Sequence, residues 1–369
     1  MNGTFPSIRL DKARASRYNQ FVMKNSNFCR ESKRLKTLLE QYEYGVVPPP
    51  PKHLVAFDRT RDRYFAAGKA ELVTVKLNCE FENGESHAIA IRYAVPQKKG
   101  KYPALIHIKN DLNMPDRHQP TEEICDGGFA VVSVGVGELI AEFGRRKHGL
   151  VRALRGGARG SDSPGSIAIF AWCAMRAVDY LVKLESERID AARLCVVGGG
   201  EYAAAALLTA AYDSRIAMAI SNSAGAAGVA DKTVVRDELF ELKTERPDIF
   251  CRRFYKTSGN EEKIPFGGDA LLALIAPRPV LLDNAVGAMS NSARAELSSA
   301  ISGSRYYEAC GARGLSAPKD ITPTALPSGE DEVRFMDGDL AYRRRGGLNY
   351  LSREDWQVYM DFVMRRGEK

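Results

Sequence analysis

From Tyr102 onward, short apolar runs recur between longer stretches of helical periodicity, and this alternation restricts the fold more than any other feature. The runs Ala104 to Ile108, Phe129 to Val134, Leu194 to Val197, Ile216 to Ser221 and Val280 to Leu282 are nearly continuous. That is the pattern of strands buried on both faces. Strands alternating with helices in this way fold as a mainly parallel sheet with helices on both faces, a three-layer α/β sandwich. The segment Ile167 to Leu184 fits a covering helix, with Phe170, Met175, Val178 and Leu181 near one face. Ligand clefts in such folds open at the carboxyl ends of the strands.

Upstream, Ala70 to Phe81 and His87 to Val95 have β character and are joined by Glu82-Asn83-Gly84-Glu85, whose Asn-Gly pair signals a hairpin. Asn27 to Tyr44 carries leucines and charges at helical spacing, and Gly45 with Pro48 to Pro51 then forces an extended linker. The expected organisation is an N-terminal helical arm and Pro-rich linker over residues 1–60 and an α/β domain over residues 61–369. Asp231 to Asp269 is polar and without clear periodicity, so an insertion above the carboxyl edge of the sheet is expected there. Arg353 to Arg365 reads as a last helix.

Composition sets limits on function. The chain has 369 residues, 44% of them hydrophobic and 27% charged, as an ordinary globular protein does. No apolar run is long enough for a membrane span, and the N-terminus lacks a signal-peptide core, which gives the expectation of a cytoplasmic protein without a membrane partner. The net charge of +7 is spread along the chain, so nucleic acid is not an expected partner, and the run Arg343 to Arg345 reads as a solvated face. The seven cysteines are scattered without a C-x-x-C pair, as free buried thiols are, and no metal site or cofactor is expected.

Arg193 to Ala230 reads as strand, tight turn, small-residue helix, strand and Gly-rich loop. This stretch resembles the nucleophile region of α/β-hydrolases of the bacterial glucuronoyl esterase and acetylxylan-esterase-like kind. Tyr44-Gly45 with the following prolines, Trp172, Arg176, Ala177 and Asp179, the run Leu271 to Val280 with its Ala-Pro-Arg-Pro, and Arg353-Glu354-Asp355-Trp356 carry the same likeness. It covers roughly residues 28 to 365. The resemblance implies an α/β-hydrolase fold and a carbohydrate or small ester as ligand.

Catalysis on that fold needs a serine on a turn written G-x-S-x-G, followed along the chain by an acid and a histidine that takes the serine proton. The five histidines are His53, His87, His107, His118 and His148, and all precede the turn at Gly198-Gly199-Gly200. A triad in the usual order is therefore excluded by counting alone. By resemblance, Gly200 stands at the nucleophile position, Ala288 at the acid and Asn349 at the base. A second acidic position of the family falls near Asn222 and Ser223, its serine-adjacent arginine is Glu201, and its P-F-D-x-H reads Pro265 to Asp269. The resemblance thus implies a catalytically degenerate homologue, a pseudoenzyme with a binding or scaffolding role. Its cleft candidates are Glu201, Tyr202, Asn222, Ser223 and Asp269.

Two alternatives stay open. An active carboxylic ester hydrolase using non-standard groups would rely on Ser223, in Ser221-Asn222-Ser223-Ala224-Gly225, with His107 or His148 as base. Small residues in a loop at a strand end are the plainer reading, His107 fits a structural histidine between Ile106 and Ile108, and His118 and His148 read as solvated. The other alternative is a phosphate cradle at Gly198 to Gly200, against which Glu201 and the missing P-loop lysine both count.

Overall fold

Among the described residues ten strands, numbered β1 to β10 in chain order with the bounds given below, join one sheet in the order β1-β2-β3-β5-β4-β6-β7-β8-β10-β9. The computed structural model describes residues 26–143, 149–155, 160–257, 259–287, 290–326 and 331–367. The chain begins with α1 (Ser26–Tyr42), β1 (His53–Asp62), β2 (Ala70–Glu80), β3 (Ser86–Pro96), β4 (Tyr102–Lys109), α2 (Thr121–Asp126) and β5 (Ala130–Gly135). It continues through α3 (Gly137–Phe143), α4 (Leu150–Leu154), α5 (Ser166–Leu184), β6 (Ile189–Gly199), α6 (Glu201–Tyr212) and β7 (Met218–Asn222). Then follow α7 (Arg236–Glu245), α8 (Arg252–Tyr255), α9 (Ala270–Ile275), β8 (Val280–Ala285), α10 (Ser290–Ala309), β9 (Val333–Phe335), β10 (Leu340–Arg345) and α11 (Arg353–Gly367).

Strands β5, β4, β6, β7, β8 and β10 run parallel, and β1 to β3 and β9 add antiparallel strands at the two edges. Side chains alternate between two helical layers. On β6, Val196 joins the layer of α5 and α6, whereas Cys195 and Val197 join that of α2 and α11. Alanines 203 to 206 are fully buried on α6 and let that helix lie close to its neighbours. The chain reverses its direction of winding at β4, and the crevice this opens between β4 and β6 is where ligands of such sheets bind.

The expected hairpin is present, with Ala70 to Glu80 paired in register against Ser86 to Pro96. The sheet already begins at His53, since β1 pairs along β2 from there to Asp62. Residues 231–269 hold α7 and α8 and bury Leu239, Ile249, Phe250 and Phe254. The run Arg343 to Arg345 is not a solvated face: it forms strand β10, with Arg343 fully buried and the other two nearly so. The charges of Arg343 and Arg345 are tolerated because Asp283, Glu332 and Asp355 meet them, while Arg344 donates to the Asp331 carbonyl. The six cysteines whose burial is described are free and buried, and desolvation pushes the Cys79 and Cys125 thiols up to about 12, so neither is a nucleophile near neutral pH.

Candidate active site at the carboxyl edge of the sheet

Strand β6 ends at Gly199, and α6 starts at Glu201. Between them Gly200 has φ +58° and ψ −126°, a backbone conformation that costs an L side chain but not glycine. Its N–H donates to the Asn222 carbonyl on β7 at 2.9 Å, which closes the turn and removes one amide from any phosphate cradle. Two residues earlier, a Cβ on Gly198 would lie 2.1 Å from the Tyr202 carbonyl oxygen, so the first glycine of the turn is required by close approach. A Cβ on Gly200 meets nothing within 4 Å. The strand, turn and helix of a nucleophile elbow are therefore built, and the space above the turn is open.

Glu201 opens α6, where a carboxylate complements the helix dipole, and it also pairs with the guanidinium of Arg246 from the end of α7. Arg246 binds Asp248 as well, at 2.9 Å, so the group carries more negative than positive charge. Tyr202 lies with its ring 5.7 Å from Phe170, its hydroxyl 3.5 Å from Asn110 Oδ1 across the crevice, and burial pushes its phenol up to about 12. It lines the cleft without covering Gly200.

Toward α11, the row that pairs across β7, β8 and β10 is Asn222, Asp283 and Arg343. Asn222 donates to Asp283 at 3.2 Å and to the Tyr359 hydroxyl at 2.9 Å, and Tyr359 donates to Asp283 at 2.6 Å. Arg343 bridges Asp283 at 3.3 Å and Asp355 at 2.7 Å. Burial raises the Asp283 carboxyl to about 6 despite the opposing Arg343 charge. Burial acts on Asp355 in the same direction, but its bonds to Arg345, Ser352 and Arg343 outweigh it and hold that carboxyl below its ordinary value. On the other face, fully buried Glu296 accepts from the Gly225 amide at 2.6 Å and from Asn284 at 3.0 Å, and desolvation raises it to about 7.

Ser223 follows β7 with φ +54°; its amide donates to the Asp283 carbonyl at 2.7 Å, and its buried hydroxyl has no partner among the described residues. Asn349 is exposed on the turn after β10. Ala288 lies outside the described residues, as does His148. Asp269 is drawn elsewhere, to Arg305 of α10 at 2.9 Å. His107 is buried, bound to Gln119 at 2.6 Å and edge-on to Trp356 at 5.2 Å, and burial lowers it to about 4, as a neutral structural histidine requires.

His118 departs from the solvated reading: it is half-buried, with its ring 5.9 Å from Tyr350, on the turn that carries Asn349. Arg345 fixes that turn. It binds Asp355 at 2.7 and 2.9 Å and donates to the carbonyls of Gly346, Leu348 and Tyr350 at 2.9, 3.0 and 2.6 Å. Asp283, Glu296, Arg246 and the arginine strand were not legible as site residues, although Leu281 followed by Asp283 on one strand face marks an apolar row turning polar at its end.

A mainly parallel sheet, a small-residue helix and a positive-φ turn at the switch point define an α/β-hydrolase with an esterase-type elbow. The sequence profile described as "Glucuronyl esterase, fungi" matches residues 79–311, more than half of the chain, and the chain belongs to that family of carbohydrate esterases. Carbohydrate esterase MZ0003, from an unknown prokaryotic organism, is 30% identical over 200 residues, 54% of this chain and 44% of the relative. The 4-O-methyl-glucuronoyl methylesterase of Hypocrea jecorina is 24% identical over 278 residues, 72% of this chain and 55% of the relative. The chain thus spans about half the length of the curated relatives it matches. Among solved structures, a promiscuous CE15 esterase from a marine bacterial metagenome superimposes with TM-score 0.75 at 22% identity over 91% of both chains. A glucuronoyl esterase from Solibacter usitatus gives 0.75 at 20% identity, over 91% of this chain and 92% of the other. At these identities the likeness fixes the fold alone.

Proposed function

We propose that this chain is a non-hydrolytic member of its esterase family, a pseudoenzyme that binds a ligand in the former catalytic cleft. The observation that carries this reading is the glycine at the elbow, together with the absence of any histidine after position 148. A serine hydroxyl is a poor nucleophile without an imidazole to take its proton, and here the elbow has no hydroxyl. Asn349, at the place the resemblance gives to the base, hydrogen-bonds but takes no proton near neutral pH. The open space above Gly200 supports a cleft retained for binding. Hydrolysis of p-nitrophenyl acetate, an acetylated xylan and a glucuronoyl ester should not rise above a heat-killed control; turnover of any of them well above it defeats the proposal.

One observation favours a second reading, hydrolysis through Ser223. A non-glycine residue at positive φ, with a buried hydroxyl that has no partner among the described residues, is the kind of strain found at functional sites. Any measured activity would then be lost in Ser223→Ala, and an unchanged rate removes this reading.

A further inference from the structure

The two edges of the sheet are finished differently. Strand β9 has three residues, and Arg334 on it pairs with Glu332 just before it at 2.7 Å, so that edge offers little to another strand. Strand β1 runs for ten residues; it pairs with β2 on one side, and no strand lies on its other side among the described residues. Its second half is blunted. Asp58 has φ +48°, the register with β2 shifts between Phe57 and Thr60, and the charged Arg59, Arg61 and Asp62 follow. Its first half has no such protection: His53 to Phe57 pairs regularly and carries no carboxylate, lysine or arginine. Leu54 and Ala56 turn to the core, whereas Val55, 56% exposed, and Phe57, 43% exposed, stand on the solvated face.

Single exposed apolar side chains are ordinary, but a bare backbone edge beside them is a template for another strand. The template has definite ends. Proline donates no ladder hydrogen bond, so pairing starts after Pro51, and the bulge stops it at Asp58. The charges around it are held in exposed pairs, Lys52 with Glu82 at 3.9 Å and Asp58 with Lys76 at 2.6 Å, while Arg59 and Arg61 reach back to Glu185 and Glu71. Between these ends the stretch is complementary to itself. Laid antiparallel on a copy with Val55 opposite Val55, it sets Phe57 opposite His53, Ala56 opposite Leu54 and Lys52 opposite Asp58. Unlike charges then meet at both ends. A parallel arrangement would set Lys52 against Lys52 and Asp58 against Asp58, and moving the antiparallel register by two residues either way separates both end pairs.

We propose that His53 to Phe57 is a self-association edge, on which β1 pairs antiparallel with β1 of a second copy of this chain, Val55 opposite Val55, and the two sheets become one. Main-chain hydrogen bonds supply the affinity, as when a strand is added to an open sheet edge. Val55 and Phe57 of each copy gain cover from the other, and the exposed Lys52 and Asp58 fix the register more than they strengthen the contact. A twofold axis passes between the two Val55 residues. Each chain has one such edge, and its other edge is short and charged, so association closes at two copies.

Sedimentation equilibrium of the full chain tests it, and at micromolar concentration the mass should be twice that of one chain. Val55→Lys sets like charges face to face and should weaken association at least tenfold; Lys52→Asp, which sets two carboxylates together at each end, should cost a smaller factor. Both side chains are exposed, so circular dichroism should be unchanged and a loss of association is not a loss of fold. The register is read with cysteine. Opposed Cα atoms of an antiparallel pair lie about 4.5 to 5.5 Å apart, within disulfide reach, so Val55→Cys oxidised with copper phenanthroline should give a covalent dimer. Arg61→Cys, far from the axis, and the wild type should not. A monomer at every concentration, as when residues 1–25 of the chain itself cover the edge, overturns the proposal. So does association that survives Val55→Lys undiminished, or cross-linking of Arg61→Cys as readily as of Val55→Cys.

Discussion

Two neighbouring turns at the carboxyl edge run at nearly the same positive φ, +58° at Gly200 after β6 and +54° at Ser223 after β7. At the first, glycine meets the conformation without steric cost and leaves open space where a side chain would stand. At the second, a serine carries the strain and buries a hydroxyl that bonds nothing among the described residues. The turn after β6 therefore has the shape of an elbow with no side chain at its apex. The β7 turn keeps its group because its surroundings hold it: the Ser223 amide is bound to β8, Asn222 to Asp283 and Tyr359, and the Gly225 amide to Glu296.

If those surroundings hold the β7 turn, removing them should cost most. Asp283→Ala leaves the fully buried Arg343 short of a counter-charge, and a loss of about 3 to 5 kcal/mol is expected in urea unfolding. A loss below about 1 kcal/mol would show that the row is not what fixes the turn.

Glu296 gives the next largest effect, read through pH. Its carboxyl lies at about 7 in the fold against an ordinary 4.5, so its contribution is complete below about 4.5 and is lost as pH rises to about 7. The difference is on the order of 3 kcal/mol. Asp283, raised from 3.8 to about 6, acts with the same sign over a lower window. In Glu296→Gln the stability difference between pH 5 and pH 8 should shrink accordingly; an unchanged profile contradicts a neutral Glu296 under the turn.

The paired turns predict opposite signs for opposite changes. Gly200→Ser should destabilise by about 1 to 2 kcal/mol, all of it backbone strain, because the added side chain meets open space. Ser223→Gly should stabilise by about 1 kcal/mol through relief of the strain of a positive φ. Equal signs in thermal melts would break the comparison. The smallest effect is expected at the turn after β10, where Asn349→His should change stability by less than about 0.5 kcal/mol, since the side chain is exposed.

The sequence made the buried parallel strands legible because Leu194 to Val197 and its counterparts are short apolar runs with no competing period. The elbow was legible too, since Gly198 to Gly200 sits between strand and small-residue helix. Strand β10 was not, because Arg343 to Arg345 looks solvated until Asp283 and Asp355 arrive from other parts of the chain. Helix α10, rich in serine and alanine, has little apolar contrast and hides Glu296. His118 looked like a lone loop histidine because its neighbour, Tyr350, is far along the chain. Local pattern reports burial by apolar residues well, and burial of paired charges poorly.

The central claim is that no hydroxyl of this chain is activated for attack on an ester. Incubating the protein with a fluorophosphonate that labels activated serines, and weighing it intact by mass spectrometry, tests that claim directly. The account predicts an unmodified mass at concentrations and times that label an active glucuronoyl esterase fully. A stoichiometric adduct, mapped to Ser223 and abolished in Ser223→Ala, would contradict it.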